Sequence, residues 1–393
     1  MKKTLIAAAV LSMTGAAFAQ TNIVLGGNFD VGYAAGRGST ANLNALSTNR
    51  VSSSNVHIRG TEDMAGGLKA GFWLEADFAA DSGAGAATNN NNQAILPTAA
   101  QAVAPAVAPV GATGAPALNA RNQGLTFNRR ATGSIAGSWG EVRLGRDYTP
   151  HFWTLTGLDP FGTNGVGASA AQGVRGCSAT PCSAGGGTTA VRASNSIAYG
   201  YGYALNGNMI TGTGGLYGTV MYFMGENASN TPTAANPGSK DDGGGSSFRV
   251  GYAGKNWNVV AASGSTNLAA GDWKTTNFGG SYNFGVANVM AYINTDEAAG
   301  GVDHKGMLIG VTAPLGAHMI RGSYSTHERD TAGGVKVGQI ALGYVHILSK
   351  RTSLYGTYAR VDNSNGASYA LNGSTTAANQ SSSGFDLGIR HQF

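Results

Sequence analysis

Cysteine, charge and long apolar runs are all scarce in this chain, and each scarcity excludes something. Cys177 and Cys182 are the only cysteines among 393 residues. Two are too few for a disulfide-built miniature fold and, with no histidine close by in sequence, too few for a metal centre. Charged residues make up 11%, and the net charge of +5 is too weak to imply a nucleic-acid partner. Beyond the first 19 residues no stretch approaches the roughly 20 apolar residues of a membrane-spanning helix. Mean hydropathy is −0.09, too polar for a helical membrane protein. The seven histidines are scattered and show neither metal-ligand nor triad spacing. No Gly-x-Ser-x-Gly elbow sits on a strand-to-helix turn, and the glycines at 243–245 lack the lysine and helix of a phosphate loop. The sequence therefore offers no catalytic cluster, no metal site and no cofactor motif.

What is present points to export and to strands. Met1-Lys2-Lys3, an apolar run from Leu5 to Leu11 and Ala17-Phe18-Ala19 make a secretory signal peptide over residues 1–19, with Gln20 as the mature start. An uncleaved anchor is the alternative, though the apolar run is short for one. Loss of Lys2 and Lys3 leaves a net charge of +3. In an exported chain, Cys177 and Cys182 read as a small loop-stapling disulfide, with two free thiols as the alternative. Glycine is abundant at 62 residues, which disfavours long helices.

The mature chain, residues 20–393, alternates. Leu68, Ala70, Phe72, Leu74, Ala76 and Phe78 share one face, and Lys69, Trp73, Glu75 and Asp77 share the other. Similar segments run from Ile23 to Tyr33, around Val56 and Ile58, from Phe248 to Tyr252 and from Ile340 to Tyr344. Their length and period of two suit tilted membrane-spanning strands. Short turns such as 137–140 and 314–316 alternate with long polar loops, the pattern of a barrel whose turns face the periplasm. About sixteen strands are expected, in an all-β antiparallel transmembrane barrel wide enough for an aqueous channel. A sandwich with so many half-apolar strands would need further layers to cover them. The final segment, Gly384 to Phe393, puts Phe385, Leu387, Ile389 and Phe393 on one parity and Asp386, Arg390 and Gln392 on the other. It is expected to close the ring against the segment from Asn22 to Tyr33.

Two loops are long. Residues 81–121 are low-complexity, with an Asn tract and then Ala, Val and Pro; a subunit latch and a surface insertion are both open readings. Residues 149–191 are too long for a simple hairpin and carry Asp159-Pro160-Phe161-Gly162.

In order along the chain, several blocks are similar to the Gram-negative general porins, most of all those of β-proteobacteria. They include Gly60-Thr61-Glu62-Asp63-Met64-Ala65-Gly66-Gly67-Leu68, Asn128-Arg129-Arg130-Ala131-Thr132, and Gly140-Glu141-Val142-Arg143-Leu144-Gly145-Arg146-Asp147-Tyr148. Asp159-Pro160-Phe161-Gly162-Thr163-Asn164-Gly165, Arg192-Ala193-Ser194-Asn195-Ser196-Ile197 and Gly388-Ile389-Arg390-His391-Gln392-Phe393 continue the series. Asn55 and His57 depart from the family's usual pattern. The resemblance implies a homotrimeric outer-membrane barrel in contact with lipid and lipopolysaccharide. It also implies that the 149–191 loop folds inward as a constriction, and that Phe393 is an assembly signal for the barrel-assembly machinery.

A diffusion pore works by width and field, so the candidate residues are inward charges. Parity aims Arg59, Lys69, Arg130 and Arg143 at the lumen, with Arg130 the foremost constriction candidate. Asp159 is the acidic candidate on the inward loop; Glu75, Asp77 and Asp30 are inward acids of the wall. Arg129 and Arg146 share parity with lipid-facing residues and are expected at a rim or subunit contact. The expected function is passive diffusion of small hydrophilic solutes and ions with mild anion preference. A substrate-selective channel for organic anions and a non-conducting surface adhesin are the alternatives.

Overall fold

The computed structural model describes residues 21–85, 92, 124–171, 189–204, 207–210, 212–226, 240–268, 271–298, 302–330 and 333–393. The signal segment, most of the 81–121 loop, and Cys177 and Cys182 lie outside the described residues. Seventeen strand segments, one α-helix and one short 3-10 turn (Ala65–Gly67) occur in the described chain. They are β1 (Thr21–Arg37), β2 (Leu43–Thr48), β3 (Asn55–Asp63), β4 (Lys69–Asp77), β5 (Arg130–Gly137), β6 (Gly140–Tyr148), α1 (Pro150–Gly157), β7 (Arg192–Tyr201) and β8 (Gly215–Phe223). Then come β9 (Gly245–Ala253), β10 (Trp257–Thr266), β11 (Trp273–Asn283), β12 (Asn288–Ala298), β13 (Val302–Leu315), β14 (His318–Arg329), β15 (Val335–Ile347), β16 (Thr352–Ser364) and β17 (Ser382–Gln392).

Every pairing between neighbouring strands is antiparallel, and the ring closes. β1 meets β17 from Asn28↔Gln392 to Arg37↔Ser383, and the amides of Gly27 and Phe393 exchange hydrogen bonds of 3.1 Å. On its other side β1 pairs with β3 over residues 21–28 and with β2 over residues 31–36. β2 and β3 thus share one position, and the wall has sixteen staves. Closure is the physical requirement: a backbone polar group without a partner in hydrocarbon costs several kcal/mol.

Alternation sorts the two faces. Leu25, Ile309, Leu342 and Leu387 point outward and are 53–67% exposed. Thr275, Asn277, Asn294, Ser325, Gln339 and Thr357 sit on the other parity and are buried. Rings gather beside the short turns: Trp139 stacks on Tyr199, Tyr252 on Trp257, and Tyr282 meets Phe284, an aromatic girdle at one edge of the apolar band. The turn between β5 and β6 needs Gly140, whose φ is +118°.

Sequence parity does not show why polar-face residues become buried. Residues 149–171 lie against them. Pro150 starts α1 with its φ already fixed, and residues 150–155 of the helix are buried on all sides. Phe152, Trp153, Leu155 and Leu158 pack with Tyr217, Val260, Tyr292 and Leu308 from β8, β10, β12 and β13. Farther along, Phe161, Val166 and Ala170 pack with Val337, Ala341, Ala359 and Val361 of β15 and β16. Polar ties finish the docking. His151 Nδ1 lies 2.9 Å from Ser247 Oγ, Ala170 N–H donates to Ser325 Oγ at 3.0 Å, and Gln339 Nε2 donates to the carbonyls of Val166 and Ala168. Val166 N–H donates to Asp386 Oδ2 at 2.7 Å. The segment therefore fills the β8–β17 side and leaves the space beside β3–β7.

Candidate pore site

That space is a cavity of about 380 Å³. Asn55, His57 and Arg59 of β3, Trp73 and Glu75 of β4, Arg129, Tyr148 and Arg192 line the wall side. Phe152, Trp153, Thr156 and residues 162–164 line the loop side. Among the described residues the loop side contributes no carboxylate, and the wall contributes three arginines against one carboxylate.

Guanidinium and aromatic groups alternate along the wall. The Arg59 and Arg130 guanidiniums lie 4.9 Å and 4.2 Å from the centroid of the Trp73 ring. Those of Arg130, Arg192 and Arg129 lie 5.5 Å, 4.3 Å and 5.8 Å from the Tyr148 ring. Such stacking orients a cation through the ring quadrupole without neutralising it.

The inward arginines differ in their partners. Arg129 pairs with Glu75. Arg130 is fully buried: its Nε donates to Asp147 Oδ1 at 2.7 Å and its Nη1 to Asn208. Arg143 is buried too, bidentate on Glu141 at 2.8 and 3.1 Å and bonded to Asp147 Oδ2 at 3.1 Å. Arg59 and Arg192 form no ion pair among the described residues, and Arg192 donates to Tyr148 Oη at 2.8 Å. Charge without an ion-pair partner among the described residues therefore sits at the cavity on Arg59 and Arg192, whereas Arg130 and Arg143 belong to a buried, paired network on the same inner face.

Lys69 lies away from the cavity and pairs with Asp63 beside the short turn. Asp77 ends β4; its amide donates to Asn128 Oδ1. Asp30 is fully buried and accepts from the backbone N–H groups of Arg50, Val51 and Ser52 and from Tyr355 Oη at 2.6 Å. It holds the crossing between β2 and β3 and is no free charge in the channel. Asp159 is equally enclosed: its carboxylate accepts from the N–H groups of Phe161, Thr163 and Ser169. Burial pushes its carboxyl above the usual carboxylate range, against those donors and the charge of Arg321. Asp386, on the polar parity of the last strand, is buried against Val166, Asn372 and Arg50.

Parity misplaced two arginines. Arg129 turns into the cavity from just before β5, where alternation has no anchor. Arg146 sits at a break in register between Gly145 and Asp147 and is held by Asn128 O and Ser194 Oγ at 2.6 and 2.7 Å. Gly145 adopts φ +120° there, so the bulge re-aims the side chains beyond it. Arg192 was not among the sequence candidates; it opens β7 directly after the long loop, and alternation starts to count only beyond it.

Comparison with known proteins gives a consistent set. Residues 4–366 match the Gram-negative porin family. The chain is 32% identical to outer membrane porin protein 32 of Delftia acidovorans, with both proteins covered in full. It is 25% identical, again over both full lengths, to an outer membrane porin of Bordetella pertussis. The solved anion-selective porin from Comamonas acidovorans superposes with a TM-score of 0.74 at 28% identity, covering 95% of this chain and 100% of that one.

Proposed function

The chain belongs to the Gram-negative porin family and is an outer-membrane porin, and we propose that it forms a passive, water-filled channel for small hydrophilic solutes and ions that favours anions. The observation that carries the preference is the cavity lining: among the described residues, Arg59, Arg129 and Arg192 against Glu75. The apolar packing of residues 149–171 supports their role as the constriction, because it leaves the aperture between loop and β3–β7. An anion passing Arg59 and Arg192 meets guanidiniums held by aromatic rings in a low-dielectric wall, where their attraction is strengthened. Repulsion of cations comes from the same field. Passage of this kind makes and breaks no bond. Liposome swelling with sugars of graded size tests the passive reading. A smooth fall of rate with size is expected, and saturable uptake of one solute would refute it.

Selectivity for organic anions is the second reading. Arg59 favours it, since no described acceptor occupies its planar donor fork, which matches a carboxylate. Assembly as a homotrimer, contact with lipopolysaccharide and delivery by the barrel-assembly machinery belong to the same proposal. The half-exposed ring of Phe393 at the closing seam supports a role in recognition during assembly. A Cys177–Cys182 staple would show as resistance of the folded, unreduced protein to thiol alkylation.

A further inference from the structure

The pore leaves a histidine cluster on the outer face unexplained. His318 opens β14 and stands directly opposite His346 near the end of β15. Their Nδ1 atoms are 3.1 Å apart, and their rings stack with centroids 4.8 Å apart. Tyr344, two residues before His346 and on the same face, brings its Oη to 2.6 Å from His318 Nδ1. Both histidines are half-exposed and Tyr344 is exposed, so the cluster opens to solvent beside the short turns 315–318 and 347–352.

Hydrogen bonding accounts poorly for this convergence. A neutral Nδ1 has either one proton or one lone pair, so His318 Nδ1 serves a single neighbour in the plane of its ring, yet two crowd it. A shared cation would resolve the conflict. With metal–nitrogen bonds of 2.0–2.1 Å, two cis imidazole nitrogens lie about 2.9–3.4 Å apart, and the observed spacing falls within that range. We propose that His318 and His346 form a bidentate site for a divalent transition ion such as Cu²⁺, Ni²⁺ or Zn²⁺, bordered by Tyr344 and completed by water, at the turn-side rim of the barrel. The donor set excludes hard cations: Mg²⁺ and Ca²⁺ seek carboxylate and carbonyl oxygen, and this cluster has no carboxylate. A bound ion would clip the ends of two adjacent strands whose own connection lies at the opposite end, between residues 329 and 335.

The test uses tag-free, chelator-stripped mature protein in detergent, titrated with CuCl₂ and, separately, MgCl₂ by calorimetry. One Cu²⁺ per protomer is expected at this pair, beside any held by His304 and His327, whose ring nitrogens are also 3.1 Å apart, with no response to Mg²⁺. His318→Asn and His346→Asn should each weaken binding at least tenfold. His391→Asn, at another histidine near the same rim, should change nothing. Equal Cu²⁺ binding by the wild type and both variants would overturn the site. Should a variant fail to fold, the spin-resonance spectrum of Cu²⁺ on His327→Asn protein, which lacks the other close histidine pair, decides. Coupling to two imidazole nitrogens supports the site, and its absence refutes it.

Discussion

Arg59 and Arg130 stack on the same indole ring, yet their substitutions should fail in different ways. Arg59 has no ion-pair partner among the described residues, so Arg59→Ala removes a charge from the cavity while leaving the wall intact. Its attraction for an anion in water at 4 Å is about 1 kcal/mol, so the chloride-to-potassium permeability ratio should fall roughly fivefold. Arg192→Ala should act in the same direction. Arg130→Ala instead strips a partner from buried Asp147 and should cost about 3–5 kcal/mol of stability. Folded yield and heat resistance on gels would register that loss, with little change in selectivity. Asp159 allows a pH prediction. Its carboxyl is raised by burial in the docked loop, so the protonated form is favoured there. That contribution to docking is complete below the ordinary carboxylate range and is lost as pH rises through the raised value. Open-channel noise should therefore grow from acid to neutral pH in the wild type, and this dependence should vanish in Asp159→Asn.

At the scale of elements, alternation carried nearly all of the wall, because one face meets lipid and the other does not. It correctly paired the segment containing Asn22–Tyr33 with the terminal strand. It could not show the crossing at residues 49–54, where β2 and β3 share a stave. That crossing is organised by the Asp30 carboxylate, and parity assigns a face but never a partner. The same blindness made Arg130 and Arg143 look like channel charges, although Asp147 and Glu141 hold both. The bulge at Gly145 misled the count at Arg146, since one shifted residue reverses every later assignment. Asp30→Ala should leave three backbone N–H groups and Tyr355 Oη short of an acceptor, each loss worth about 1–3 kcal/mol. A markedly lower melting temperature by circular dichroism is expected, with Asp30→Asn intermediate; an unchanged melt would contradict the role given to the crossing.

The molecule as a whole joins a closed wall to an off-centre opening. Closure links β1 to β17, and Asp386 of β17 also holds Val166 of the inner segment, so the seam and the aperture share a residue. Phe393→Ser should lower the yield of assembled protein in membranes far more than it changes conductance, since the residue lies on the outer face of the seam. The inner segment covers β8–β17 and leaves Arg59 and Arg192 at the opening, which gives the proposed aperture its net positive charge. Zero-current potential across a planar bilayer, with potassium chloride more concentrated on one side, tests it most directly. A potential displaced toward the chloride equilibrium value is expected, moving toward zero when both arginines are replaced by alanine. A potential displaced toward the potassium value in the wild type would contradict it.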